Sequence, residues 1–236
     1  MTMQPSAASL YYFHGRGNSQ QARWALAAAK IPWKNVCLSS KAEFEELCAS
    51  GKLTYAQVPM LEQDGCCISQ SMAIVRHAAR VGALYGADHE QAARIDEVLE
   101  GIRDMRGPIV GYPFTDATEA CQRLQSSMKR FLPHLERLIT RNASPPFIVG
   151  PSLTIADILL GEVVHSSLEA FSATYREGDV FAAKVLEPYP KCMALHDHVV
   201  ALPEIREFMT GPNWFTFPAG QVGREYVHNV QTVLRG

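Results

Sequence analysis

The stretch Leu10-Tyr11-Tyr12-Phe13-His14-Gly15-Arg16-Gly17-Asn18-Ser19 decides how the first third of this chain is read. Residues 10–13 form a compact apolar run with the length and aromatic content of a strand. Two glycines then turn the chain, and Ser19 caps an Ala-rich segment, 19–30, in which Trp24, Leu26 and Ala27 recur at helical spacing. Working outward, 34–38 reads as a second strand and 42–50 as a short helix. Residues 59–62 and 66–69 read as a hairpin around Asp64-Gly65, and 71–81 as a helix. The order is strand-helix-strand, a helix, then strand-strand-helix.

Beyond about residue 86 only helical periodicity is found, at 88–112, 116–141, 154–171, 190–200 and 221–234, punctuated by Pro and Gly. Gly-Ala-Leu-Tyr-Gly at 82–86 is the natural linker, so two domains are expected, 1–85 and 86–236. The first has the layout of an α/β thioredoxin-like fold, a four-stranded mixed sheet between helices. The second is expected to be an all-α helical bundle.

The 236 residues are 47% hydrophobic and 19% charged, an ordinary globular composition. The net charge is −2 and no dense Lys/Arg run occurs, so neither a nucleic-acid nor a membrane partner is expected. Residues 1–9 carry no Lys or Arg and do not read as a secretory leader. The longest charge-free stretch that looks apolar, 142–156, is broken by Pro145, Pro146 and Pro151 and is too short for a membrane span. Six cysteines without metal-type spacing read as free thiols in a reducing, cytoplasmic setting. Charge divides with the domains, net +3 over 1–85 and −5 over the rest, so the small domain favours an anion.

Three places in the first domain suit a small anionic ligand. The 15–19 turn opens a helix and offers free N–H groups and the positive end of a helix dipole. A ligand-free tight turn accounts for the two glycines equally well. A dinucleotide fingerprint fails because Gln20 holds the third glycine position, and no Cys lies near this turn for disulfide exchange. Gln57-Val58-Pro59 enters a strand, where a cis peptide would present the Val58 backbone to an extended peptide. Gln70-Ser71 starts a helix where a carboxylate is welcome, or is an ordinary N-cap. Cys66 and Cys67 read as packing thiols. The eight histidines show no His-x-x-x-His spacing, and neither a G-x-S-x-G elbow nor a P-loop is present, so no metal is expected and the common hydrolase signatures are missing.

Taken together, 10–13 with Gly15-Arg16-Gly17, Arg23-Trp24, Gln57-Val58-Pro59-Met60-Leu61, Asp64-Gly65 and Gln70-Ser71-Met72-Ala73-Ile74 resemble the tyrosine-type cytosolic glutathione transferases, alpha and sigma classes most closely. In the second domain, Gly150-Pro151-Ser152-Leu153-Thr154-Ile155-Ala156-Asp157 is similar to that family's helix-capping segment. The resemblance implies an enzyme, a transferase joining the thiolate of glutathione to hydrophobic electrophiles in detoxification. Glutathione would be co-substrate with no other cofactor, and the assembly a cytoplasmic homodimer. Tyr12 would be the catalytic residue, its hydroxyl hydrogen-bonded to the glutathione sulfur. A thiol of pKa ~8.5 is a few per cent ionised at neutral pH, and lowering it by ~2 units takes about 2.7 kcal/mol. A charge-assisted hydrogen bond and a helix N-terminus can supply that.

By the same resemblance Asn18, Lys52, Gln57, Val58, Pro59, Gln70 and Ser71 would hold glutathione. Asp104 would reach across the dimer to the γ-glutamyl ammonium. Phe13, Val110 and Phe114 would meet the electrophile, His14 would either line the same pocket or be a half-buried histidine hydrogen-bonded to the backbone, and the 214–234 segment would be a lid or simply pack on the bundle. Arg16 and Arg23 are expected to anchor the first domain to the second through carboxylates. Two departures stand out. Asn18 occupies a position usually Arg, and Cys48 one usually basic, with Lys52 or Lys41 as substitutes. Two other functions suit the same scaffold: a glutathione-dependent isomerase of prostaglandin type, and a non-catalytic ligand-binding or structural protein.

Overall fold

The structure, a computed structural model, describes residues 6–236. Residues 1–5, most of the segment read for a leader, lie outside the described residues. The chain forms two compact units, one made of the residues up to Gly82 together with Glu207–Gly236, the other of Ala83–Arg206.

The first unit is built on β1 (Ala8–Phe13), α1 (Gln20–Ala28), β2 (Trp33–Leu38), α2 (Lys41–Ala49), β3 (Met60–Gln63), β4 (Cys66–Ser69) and α3 (Ser71–Val81). The strands form one four-stranded sheet in the order β2-β1-β3-β4. Because β1 and β2 run parallel, with Tyr12 opposite Cys37, they need a crossover, and α1 supplies it. β3 runs antiparallel to both β1 and β4. Asp64 and Gly65, at φ 52° and 77°, close the β3–β4 hairpin as the Asp-Gly pair leads one to expect. Strand β1 is central, with Ala8, Leu10 and Tyr12 buried on one side and Tyr11 half-buried on the other. Every residue of α1 is buried, and it packs against α3, whose Ile74, Val75, Ala78 and Ala79 are inaccessible. Each large apolar side chain so enclosed contributes about 1.5–3 kcal/mol.

The second unit contains α4 (His89–Gly111), α5 (Ala117–Arg141), α6 (Ile155–Thr174), α7 (Gly178–Leu186) and α8 (Pro190–Ala201). Helix α6 is buried along nearly its whole length and packs on α4, α7 and α8. Gly161 permits the approach to α8, since a Cβ there would lie 2.7 Å from Val199 Cγ1. Inside this apolar unit Arg106 Nε and Glu162 Oε2 pair at 3.0 Å, both side chains almost inaccessible, and Ser166 Oγ donates to Glu162 Oε1 at 3.0 Å. Thr154 caps α6, and Asp157 accepts from the Thr154 N–H at 2.7 Å, as the capping segment leads one to expect.

Two further helices close the chain, α9 (Pro203–Thr210) and α10 (Gly220–Arg235). Helices α7 and α9 are not anticipated from the periodicity; Gly178 and Pro203, which read as loop punctuation, stand at their first positions. The returning tail packs within the first unit, where α10 lies against β1 and α2. Cys66 is exposed and Cys67 half-buried, so only the second of these thiols is packed.

Candidate active site

The end of β1 places Tyr12 with its ring buried beside Phe13, centroids 4.9 Å apart. The following turn folds back so that the main-chain N–H of Asn18 donates to Tyr12 Oη at 2.9 Å. Gly17 makes this possible in two ways. Its φ of +37° is a conformation side-chain-bearing residues rarely adopt, and a Cβ on it would collide with the hydroxyls of both Tyr12 and Tyr226. A Cβ on Gly15 would overlap the Tyr226 ring in the same way. The two glycines are therefore the space in which two tyrosines meet, and their hydroxyls stand 3.4 Å apart.

Tyr226 belongs to α10, which is stitched to the first unit around this point. Asn229 Oδ1 accepts from the His14 N–H at 2.8 Å, and Asn229 Nδ2 donates to the Leu38 carbonyl at 3.0 Å. Tyr226 and Val233 join Tyr12, Phe13, Leu38, Leu47, Leu53 and Met60 in one buried apolar cluster. Neither Tyr226 nor Asn229 is singled out by the sequence reading. The signal was present: Tyr226, Asn229, Val230 and Val233 recur at i, i+3, i+4 and i+7 on one face of α10. What the sequence does not say is where that face docks.

Below the turn lies Arg23, whose guanidinium donates to the Gly15 carbonyl at 2.9 Å and to Asn35 Oδ1 at 2.8 Å and stacks on Phe215 at 4.4 Å. Arg16 stacks on Trp214 at 4.4 Å. The expectation of carboxylate anchors to the second domain is corrected for Arg23: its partners are neutral and lie in the first unit. Burial without a counter-anion lowers its pKa to about 10. The aromatics Trp214 and Phe215 pack on these arginines within the first unit.

The peptide bond between Val58 and Pro59 is cis, and Val58 makes no main-chain hydrogen bond among the described residues. Gln70 adopts φ +77°, its carbonyl accepting from Ala73 and Ile74, and the N–H groups of Ser71 and Met72 at the start of α3 have no acceptor among the described residues. Gln70 Nε2 donates to Gln57 Oε1 at 3.2 Å, which brings these two candidates together. This edge thus offers the main-chain groups of Val58 and a helix N-terminus.

Other candidates are placed differently. Lys52 Nζ binds Glu62 at 2.7 Å, and the Tyr11 hydroxyl donates to the same carboxylate at 3.0 Å. Lys52 and Tyr11 both line a cavity of about 410 Å³ under α2. Lys52 therefore spends its ammonium on a carboxylate of its own unit. Cys48 is half-buried against the Tyr12 cluster. His14 is exposed, its ring edge-on to Phe215 at 5.2 Å. In the second unit Asp104 is exposed on α4, 3.8 Å from Arg103, while Val110 is half-buried and Phe114 exposed in the turn after α4. Among the described residues no group of three or more His, Cys, Asp or Glu side chains is arranged to hold a metal ion, and no helix is long and apolar enough to cross a membrane.

This geometry has known counterparts. Residues 8–80 match the glutathione S-transferase N-terminal domain and residues 103–211 the corresponding C-terminal domain. Glutathione S-transferase alpha-4 of Rattus norvegicus is 32% identical over 231 residues, 96% of this chain and 97% of that relative. Among solved structures, NaGST1 superposes with a TM-score of 0.70 at 26% identity, covering 87% of this chain and 97% of its own. Monomeric Na-GST-3 of the hookworm Necator americanus gives 0.68 at 22%, covering 86% and 96%, a likeness of fold. The chain belongs to the glutathione S-transferase family, enzymes whose general activity is the conjugation of glutathione to electrophiles.

Proposed function

We propose that the first unit binds glutathione along the edge formed by Val58, Gln57, Gln70 and Ser71, with Tyr12 as the catalytic hydroxyl. The observation that carries this reading is the Asn18 N–H on Tyr12 Oη: it fixes the phenol oxygen and leaves the phenolic proton for another acceptor. A thiolate sulfur seated beside it, its own proton released to solvent, would accept a charge-assisted hydrogen bond from that O–H while the proton stays on the phenol, raising the population of the nucleophile. The ordered tripeptide backbone would pair with Val58, next to Pro59, and its γ-glutamyl carboxylate would meet the free N–H groups of Ser71 and Met72. Attack by the thiolate on an apolar electrophile follows, helped by proximity and without a covalent enzyme intermediate.

Phe13 and His14 stand beside Tyr12 as contacts for the electrophile, with Val110 and Phe114 proposed from the second unit. Asp104, exposed on α4, is proposed to serve the γ-glutamyl ammonium in a homodimer of the cytoplasm. Na-GST-3 is a monomer, so the assembly needs its own measurement, sedimentation at several concentrations. The catalytic assignment is tested by Tyr12→Phe: kcat/KM for conjugation should fall about 10–100-fold while glutathione affinity moves less than about twofold. Unchanged kcat/KM removes Tyr12 from the mechanism.

A further inference from the structure

We propose that Tyr226 is a positioning residue for Tyr12, its hydroxyl directing the phenolic proton of Tyr12 toward the glutathione sulfur; this rests on the assignment of Tyr12 above. Tyr12 Oη has one proton and two lone pairs. The Asn18 N–H occupies one lone pair at 2.9 Å. The Tyr226 hydroxyl lies 3.4 Å away, and either oxygen can be the donor. The two arrangements have opposite consequences. When Tyr12 donates to Tyr226, its proton is turned away from any sulfur. When Tyr226 donates to Tyr12, both lone pairs of Tyr12 are filled and its proton must go to a third atom.

An anion beside Tyr12 selects the second arrangement, because the two O–H dipoles then point in sequence toward the negative charge and each bond polarises the next. The separation of 3.4 Å exceeds the usual O–H···O distance, so a small approach of the two rings on ligand binding completes the chain. Both residues are buried, Tyr12 and Tyr226 each 4% exposed, so packing holds the two rings in place. Its place is held by Gly15 and Gly17, which admit the ring, and by Asn229 one turn further along α10. The tail of the chain thereby takes part in setting the thiolate population without touching glutathione.

The test uses the full chain in four forms: wild type, Tyr226→Phe, Tyr12→Phe and the double variant. For each, the ionisation of bound glutathione is followed by thiolate absorbance against pH, the pH profile of kcat/KM is recorded, and glutathione affinity is measured by calorimetry. Tyr226→Phe keeps the ring, and a melting temperature close to wild type confirms that α10 stays in place. The expected result is an acid limb displaced to higher pH in Tyr226→Phe, with thiolate at pH 6.5 reduced about threefold. Glutathione affinity should stay within about twofold, and Tyr226→Phe should add nothing in the Tyr12→Phe background. If Tyr12→Phe shifts the ionisation and Tyr226→Phe does not, the positioning role is overturned. A Tyr226→Phe effect that persists without the Tyr12 hydroxyl also overturns it, because Tyr226 would then act on the ligand directly. If Tyr12→Phe itself leaves the ionisation unmoved, the catalytic assignment fails and the positioning role falls with it.

Discussion

The main-chain N–H of Asn18, and not its side chain, is what reaches Tyr12 Oη, at 2.9 Å. The departure from arginine at this position thus removes a charge but leaves the contact that orients the phenol. Asn18→Ala should therefore leave the ionisation of bound glutathione within about twofold of wild type. Asn18→Arg, by adding a cation near the sulfur, should lower the bound thiol pKa by about 0.5–1 unit, read by thiolate absorbance. A large loss in Asn18→Ala would show that the side chain, exposed as it is, contacts the ligand.

Lys52 is expected from the sequence to hold glutathione, yet its ammonium pairs with Glu62, and Tyr11 shares that carboxylate. Hydrogen bonding to Glu62 raises the Lys52 pKa, and the same contact, with that from Tyr11, holds Glu62 below the usual carboxylate value. Lys52→Ala should change glutathione affinity by less than about twofold, whereas Gln70→Ala should weaken it about tenfold or more. Calorimetry decides, and a tenfold loss in Lys52→Ala would return the lysine to the ligand.

Arg106 and Glu162 form a buried pair between α4 and α6. Removing one partner leaves the other charge enclosed, so Glu162→Ala should cost about 3–5 kcal/mol in denaturant unfolding. A cost below about 1 kcal/mol would mean that water or another group takes over the guanidinium.

Asp157 accepts hydrogen bonds from Ile148 N, Thr154 N and Thr154 Oγ1, which favour its charged form, but burial outweighs them and raises its pKa from the ordinary 3.8 to about 6. The folded value lies above the unfolded one, so the native state binds the extra proton between those values. The stabilisation is complete below about pH 4 and is lost as pH rises through about 6. The stability difference between wild type and Asp157→Asn, measured by urea unfolding, should accordingly shrink from pH 4 to pH 6.5. A difference that grows over this range would show the hydrogen bonds dominating burial.

The sheet was legible because each of its signals is local: an apolar run, an Asp-Gly turn, a proline at a strand entry. The capping of α6 was legible for the same reason, Thr154 and Asp157 being three residues apart. What stayed hidden depends on partners far apart in sequence. Tyr12 and Tyr226 are separated by 214 positions, and the amphipathic pattern of 221–234 fits a bundle face as well as the apolar cluster around Tyr12. The Lys52–Glu62 pair was hidden because two opposite charges on a loop and a strand carry no spacing rule. Arg23 misled because a buried guanidinium ordinarily seeks an acid, whereas here main-chain carbonyls, Asn35 and a ring satisfy it.

The proposed role of the Tyr12 hydroxyl is to make glutathione a better nucleophile on this protein. It is tested most directly by titrating the thiolate absorbance of bound glutathione in wild type and in Tyr12→Phe, with saturation verified by calorimetry. The bound thiol should ionise about 2 units below the free value of ~8.5 in wild type and within about half a unit of it in Tyr12→Phe. Glutathione bound with an unshifted thiol in wild type would contradict it and favour a carrier over an enzyme.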